Sequence, residues 1–265
     1  MEAFEGFSSV ADAVMLIGLS TTRIAMAFLL LPIFSPDTIP ALVRNAVCVS
    51  LGVVVLALQP AVSPEAWNAL HWLALLGKEA LLGSALAFGM AAFLWAFSCA
   101  GQVLDIKLGL SNAQLTDPMS GQQVSLSGAW LGRLACVLFM SSGGFLLFVN
   151  GLLESFHVWP MDSTTLTLKR TGVIVFERHL NDLMSLALLL AAPVLIISFV
   201  IDLTLGLINR HAPQVNVSAL SSGIKGLASA AVWLLGLATL SQGFDDAWAH
   251  RLAAMLPEVA QLMSP

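Results

Sequence analysis

Charge is what this chain has least of. Lys, Arg, Asp and Glu make up 10% of its 265 residues, whereas 58% are hydrophobic. An ordinary soluble domain carries roughly 25% charge, so most of this surface must face lipid or a large partner interface. Basic runs are missing as well. With a net charge of -5 and no cluster of Lys and Arg, nothing supplies the electrostatic part of nucleic-acid affinity, and that class of partner is set aside.

Other absences exclude further classes. The N-terminus carries Glu2, Glu5 and Asp12 but no Lys or Arg. It lacks the basic flank of a cleavable signal peptide, and its first apolar run is too long for one, so it is expected to stay as a helix. Cys48, Cys99 and Cys136 stand singly in apolar runs without CxxC spacing; packed thiols are expected rather than disulfides, metal ligands or redox centres. His71, His157, His179, His211 and His250 are scattered, and HExxH, GxSxG and GxxxxGK are absent. An intramembrane enzyme would need a nucleophile and base facing one cavity, and no motif supplies them. No cofactor or metal site is expected.

What is present is apolar length. A membrane-spanning helix needs about 20 mainly apolar residues, and runs near that length recur at Val10–Leu31, Ala41–Leu58, Trp67–Leu104, Leu126–Leu153, Leu183–Ile208 and Val217–Leu240. They are continuous and rich in Leu and Ala, which favours helices that satisfy their own backbone in lipid over the alternating strands of a barrel. The expected architecture is one all-α integral membrane unit spanning residues 1–265 with about six apolar helical segments. Pro32, Pro36, Asp37 and Pro40 separate the first two runs, and Gln59, Pro60, Ser63 and Pro64 the next two, so tight hairpins between antiparallel neighbours are expected. Trp67, Trp72, Trp159 and Trp248 suit an interfacial belt; Trp95, Trp130 and Trp233 suit packing. The polar stretch Glu154–Asp182 has room for a short amphipathic helix at most. The third run would be about 57 Å long as one helix, against ~30 Å of hydrocarbon. It must bend back, tilt or protrude, and Gly77, Gly83 and Gly89 are its candidate hinges.

The few charges sit where charge is expensive. Arg23, Arg44, Lys78, Glu79, Arg133, Asp202 and Lys225 lie within or beside apolar runs, where a mid-bilayer charge costs several kcal/mol. For Arg23, Arg44 and Arg133, snorkelling or a carbonyl contact near a helix end is the simple expectation. A protein-covered environment is expected for Lys78 and Glu79. Ser198, Asp202, Gly206 and Asn209 share one helical stripe, and Ser218, Ser222, Lys225 and Ser229 another beside the small residues Gly226 and Ala230. Asp202 reads either as an assembly contact or as the seed of a proton relay.

Two connecting segments carry the rest. Asn112, Gln114, Asp117, Pro118, Met119, Gly121 and Gln122 belong to an amide-rich, Gly-containing stretch between two apolar runs, readable as an exposed turn or as a loop held in a wet path. Asn209-Arg-His-Ala-Pro-Gln-Val-Asn216 ends one apolar helix and starts the next, Pro213 enforcing the corner.

Arg210-His-Ala-Pro-Gln-Val-Asn216 with Gly223-Ile-Lys225, the Gly101-Gln102 and Asp105 pattern, Asp117-Pro118 followed by Ser-Gly-Gln, and Ser142-Gly-Gly144 together resemble the SctT family. This is an export-apparatus component of virulence type III secretion systems, with FliR as its flagellar relative. The resemblance runs through essentially the whole chain. It implies a fold of bent helical hairpins similar to a fusion of SctR and SctS, and a single copy closing a helical assembly of those two proteins with SctU nearby. It also implies residence in the bacterial inner membrane, within the secretion-system basal body, and passage of unfolded exported proteins. The loop Leu108–Gln123, with Asn112, Gln114, Asp117, Pro118, Met119, Gly121 and Gln122, would then act as a channel plug, and Asp202, Arg210, Pro213, Gln214, Asn216 and Lys225 as assembly contacts. Val217-Ser-Ala-Leu-Ser-Ser222 is more polar than the aliphatic and aromatic residues expected there, which favours the virulence branch over the flagellar one. The alternative from another class is a secondary transporter or ion channel using Asp202, Lys225, Lys78 and Glu79 as a midplane site, which inverted repeats would support.

Overall fold

The computed structural model describes residues 10–35, 38–58, 68–109, 115–116, 123–162, 167–168, 172–211 and 217–264. Helices dominate: α1 (Val10–Leu30), a 3-10 turn (Pro32–Phe34), α2 (Ala41–Leu58), α3 (Ala69–Leu108), α4 (Leu126–Ser141), α5 (Gly144–Val158), α6 (Gly172–His211) and α7 (Val217–Leu262). Four two-residue strands add two antiparallel pairs. β1 (Leu115–Thr116) meets β2 (Gln123–Val124), and β3 (Thr167–Leu168) meets β4 (Met263–Ser264). They are too short to alter the all-α class. Five of the described helices are long and apolar enough to cross a membrane, or six with α4 and α5 counted as one broken span.

The third apolar run is a single helix. α3 extends over 40 residues without a non-helical break, about 60 Å at 1.5 Å per residue. It does not use its glycines as breaks. Gly83 instead lets α1 come close: a Cβ there would collide with the backbone carbonyl of Arg23, while Gly77 faces open space. Burial explains how so long an apolar helix is accommodated. Met90, Ala91, Ala92, Phe93 and Leu94 are all buried in succession, so this stretch is covered all round, as a helix apolar on every side requires.

The fourth run departs from expectation. It divides into α4 and α5 because Gly143 takes φ +77, a left-handed conformation that glycine adopts without the steric penalty of a Cβ. The polar stretch Glu154–Asp182 is also not a loop with a short helix in it: α5 runs to Val158 and α6 begins at Gly172. Trp159 and Trp248 were expected at the interface, but they are 1% and 4% exposed. Their positions after apolar runs resemble belt positions, yet tertiary packing covers both rings.

The described residues gather into two packed units. The first draws on Met1–Ala92, Gly143–His179 and Trp248–Pro265, and the second on Phe93–Ser142 and Leu180–Ala247. In the first unit α1 packs against α2, and Phe28 stacks on Phe34 at 4.3 Å with Phe145 against both. α5 contributes Phe148, Leu152 and Phe156, a buried stripe at helical spacing. In the second unit Phe244 of α7 meets Phe93 and Phe97 of α3 at 5.1 and 5.6 Å, and α4 buries Leu131, Ala135 and Phe139 along one face.

The contact at Gly83 is backbone against backbone and cannot be relieved by a rotamer change. Gly83→Ala is expected to destabilise the protein by about 1–3 kcal/mol, the usual range for overpacking, while Gly77→Ala is neutral or slightly stabilising. Thermal unfolding of the two variants in detergent checks this.

Candidate functional site

Three polar constellations are built into this apolar scaffold. The first lies in the unit containing α1 and α5. Arg23 of α1 is fully buried and forms a two-pronged pair with Glu79 of α3, Nε donating to Oε2 at 2.6 Å and Nη2 to Oε1 at 3.0 Å. Its remaining donors reach Ser155 Oγ at 3.0 Å and the carbonyl oxygen of Trp159 at 2.9 Å. The guanidinium also lies 3.9 Å from the centroid of the Phe156 ring. Lys78 Nζ sits 3.0 Å from Glu79 Oε1 and donates to the carbonyls of Pro160 and Met161 at 2.7 and 3.3 Å.

Burying two cations and one carboxylate costs several kcal/mol per ion, which only excellent geometry and complete hydrogen bonding offset. Both conditions hold here. The excess positive charge faces carbonyls at the C-terminal end of α5, where the helix dipole is negative. Of the two contacts the sequence suggested for Arg23, it makes the carbonyl contact near a helix end, at Trp159, rather than snorkelling, and it adds an ion-pair partner 56 residues away in the chain. Lys78 and Glu79 are covered by protein, in accord with the cost of exposing them to lipid. The cluster has no vacant, reactive group, and its chemistry is positional.

The second constellation closes the base of the loop that the sequence singled out. Asp105, near the end of α3, is 5% exposed. Its Oδ2 accepts from Ser125 Oγ at 2.6 Å and from the backbone N–H of Ser127 at 3.0 Å. Ser125 is the N-cap of α4 and accepts in turn from the Gly128 N–H at 3.0 Å. Two of the first amides of α4, those of Ser127 and Gly128, are thus capped by Asp105 of α3 and by Ser125. Gly101 and Gly128 permit this approach, since a Cβ on Gly101 would strike the backbone of Ser127 and one on Gly128 would lie 3.0 Å from the Ser98 carbonyl oxygen. Beyond this base, β1 pairs Leu115 with Val124 and Thr116 with Gln123. The candidate plug residues Asn112, Gln114, Asp117, Pro118, Met119, Gly121 and Gln122 lie outside the described residues.

The third constellation joins α3, α6 and α7 in the same unit. Asp202 pairs with Lys225 through Oδ1 and with Lys107 through Oδ2, the latter at 3.2 Å. Asp202 and Lys225 were singled out from the sequence on two separate stripes; the structure brings them together and adds Lys107 of α3. Both carboxylate oxygens are occupied by cations, so Asp202 is not an isolated carboxylate of the kind that seeds a proton relay. Arg210 is exposed at the end of α6, whereas Pro213, Gln214 and Asn216 lie outside the described residues. Arg44 donates to the carbonyl of Phe34 at 3.1 Å, the helix-end contact anticipated for it, and Arg133 is exposed. Among the described residues no group of three or more His, Cys, Asp or Glu side chains is placed to hold a metal ion.

Removing Glu79 leaves two buried cations, Arg23 and Lys78, without their carboxylate, whereas removing Arg23 leaves Glu79 paired with Lys78. Glu79→Ala is expected to cost about 3–5 kcal/mol, and Arg23→Met to cost less. Folded yield and thermal unfolding in detergent measure both.

Comparison with known proteins supplies the remaining constraint. A family model described as bacterial export proteins, family 1, matches residues 14–250. Yop proteins translocation protein T of Yersinia pestis is 32% identical over 207 residues, covering 77% of this chain and 78% of that protein. Secretion system apparatus protein SsaT of Salmonella typhimurium is 30% identical over 227 residues, with 84% and 85% covered. Flagellar biosynthetic protein FliR of Escherichia coli is 30% identical over 193 residues, with 70% of each chain covered. The chain is a multi-pass membrane protein that belongs to the bacterial export proteins, family 1, the SctT/FliR family of type III export-apparatus components, and it is not an enzyme.

Proposed function

We propose that this chain is a structural and gating subunit of a type III secretion export gate, lining part of the channel through which unfolded proteins cross the bacterial inner membrane within the basal body. One copy closes a hetero-oligomer with SctR and SctS, SctU joins nearby, and lipid covers what those partners leave exposed. In this reading the chain resembles a fusion of the SctR and SctS folds. The loop Leu108–Gln123 forms a plug in the channel, and Asp202, Arg210, Pro213, Gln214, Asn216 and Lys225 support assembly. The virulence branch is favoured by the polar segment Val217–Ser222.

The observation that carries the gating role is the way the loop is presented. Its two ends are tied together by Asp105, Ser125 and Ser127 at the junction of two closely packed helices, while the segment between them is rich in amides and small residues. Amides can exchange hydrogen bonds with water or a passing chain without stranding a buried charge. Such a loop fits a hydrated constriction carried on a firm base. Energy for transport comes from elsewhere in the machine, and no residue here turns over a substrate.

Shortening the loop by removing residues 110–122 and bridging with two glycines tests the role. Vesicles reconstituted with the purified export complex should release potassium ions and a small fluorescent dye faster than wild type, at unchanged complex yield. Tight vesicles carrying a confirmed deletion contradict the plug.

A further inference from the structure

The polar stretch that opens at Glu154 begins inside a helix, and its first residues face a groove. Asn150, Glu154 and His157 stand four and three residues apart on α5 and so share one side of it. All three are exposed, on a helix that completes a broken span with α4 and whose other exposed residues, Leu146, Leu147 and Val158, are apolar. The groove has a volume of about 390 Å³, and its opposite wall is apolar, built from Val55 and Leu58 of α2 with Phe156 of α5. Among the described residues, no Lys or Arg lines it, and Asn150, Glu154 and His157 make no hydrogen bond or ion pair. Arg23, which lies over the Phe156 ring, directs its hydrogen bonds to Glu79, Ser155 and the Trp159 carbonyl instead.

We propose that this groove is a binding site for a phospholipid whose headgroup carries a primary ammonium. The proposal needs only that the chain resides in a membrane and is independent of the gate reading. A carboxylate among apolar helix ends is costly unless a cationic group covers it. The C-terminal end of α2, at Leu58, adds the negative end of a helix dipole to the same groove. The Asn150 amide and the His157 ring are donors beside that carboxylate, so the polar side complements a zwitterion, an ammonium on Glu154 and phosphate oxygens on its neighbours. The apolar wall suits the glycerol and first methylenes. A single Lys or Arg side chain would leave most of this volume empty, whereas it falls in the range of about 300–1,000 Å³ that holds small organic ligands. An alkyl chain leaving the groove at Leu58 meets Val54 one turn along α2, and both are exposed. Only 17% of the apolar window of α2 is buried, so the chain has an apolar surface to follow.

The full-length protein, purified in mild detergent with whatever copurifies from its native host, is mixed with dioleoyl phosphatidylethanolamine, phosphatidylcholine or phosphatidylglycerol, and retained lipid is counted by native mass spectrometry. Phosphatidylethanolamine should be retained about threefold to tenfold more than either of the others, the factor that one partly exposed charge-assisted hydrogen bond supplies. The quaternary ammonium has no N–H for Glu154, and the glycerol headgroup has no cation. Glu154→Gln, an isosteric change at an exposed position, should remove the preference, while Glu177→Gln, at an exposed carboxylate on α6, should keep it. Equal retention of the three lipids, an unchanged preference in Glu154→Gln, or an equal loss in Glu177→Gln overturns the site. Coupling with a water-soluble carbodiimide decides against the other occupant: a link between Glu154 and a Lys of a copurifying protein overturns the lipid and gives the groove to a partner.

Discussion

Every charge in an apolar helix must find a partner, and in this protein one pair does so for three helices at once. Arg23 and Glu79 are each fully buried and joined by two hydrogen bonds. Through them α1 is fixed to α3, and through Ser155 and the Trp159 carbonyl both are fixed to the end of α5. The aromatic and aliphatic packing around this pair is permissive in register, since one apolar face can slide on another. The ion pair is not permissive, because a shift of one helical turn would leave an unpaired charge in a water-free interior. Gly83 then sets how near α1 can come.

The other unit solves the same problem at its surface. Asp202 holds Lys107 and Lys225, and the partly exposed pairing tolerates contact with water or with another protein. Only 22% of the most apolar window of α6 and 11% of that of α7 is buried, against 61% for α3. α3 is thus the most covered of these three helices, whereas α6 and α7 expose Leu189, Ile196, Phe199, Leu203, Leu234 and Leu235. Apolar surface on this scale needs lipid or partner helices to cover it, which is the physical condition of a component of a membrane assembly.

Much of this was legible in the sequence because lipid imposes simple rules. Apolar run lengths located the long helices, and the expense of exposing Lys78 and Glu79 predicted their covered environment. Pairing was not legible: nothing local links Arg23 to Glu79, so the expectation of snorkelling or a carbonyl contact near a helix end caught the Trp159 carbonyl and missed the ion pair. Boundaries failed where tertiary contacts override composition, as with the early start of α6 at Gly172 and the burial of Trp159. The break between α4 and α5 depends on a single left-handed glycine, and hydropathy reads straight through it. At the loop base, the sequence grouped Asp105 with Gly101 and Gln102 as a motif, but its role as a cap on α4 depends on a contact 22 residues away. The Arg210–Asn216 and Asp117–Gln122 segments were informative through resemblance rather than through geometry.

The most direct test of the account is native mass spectrometry of the complex that copurifies with this chain, tagged, in mild detergent from its native host. One copy together with several copies of two small helical export proteins is the predicted result. A lone chain or a homo-oligomer would contradict the gate-subunit account and return weight to a transporter.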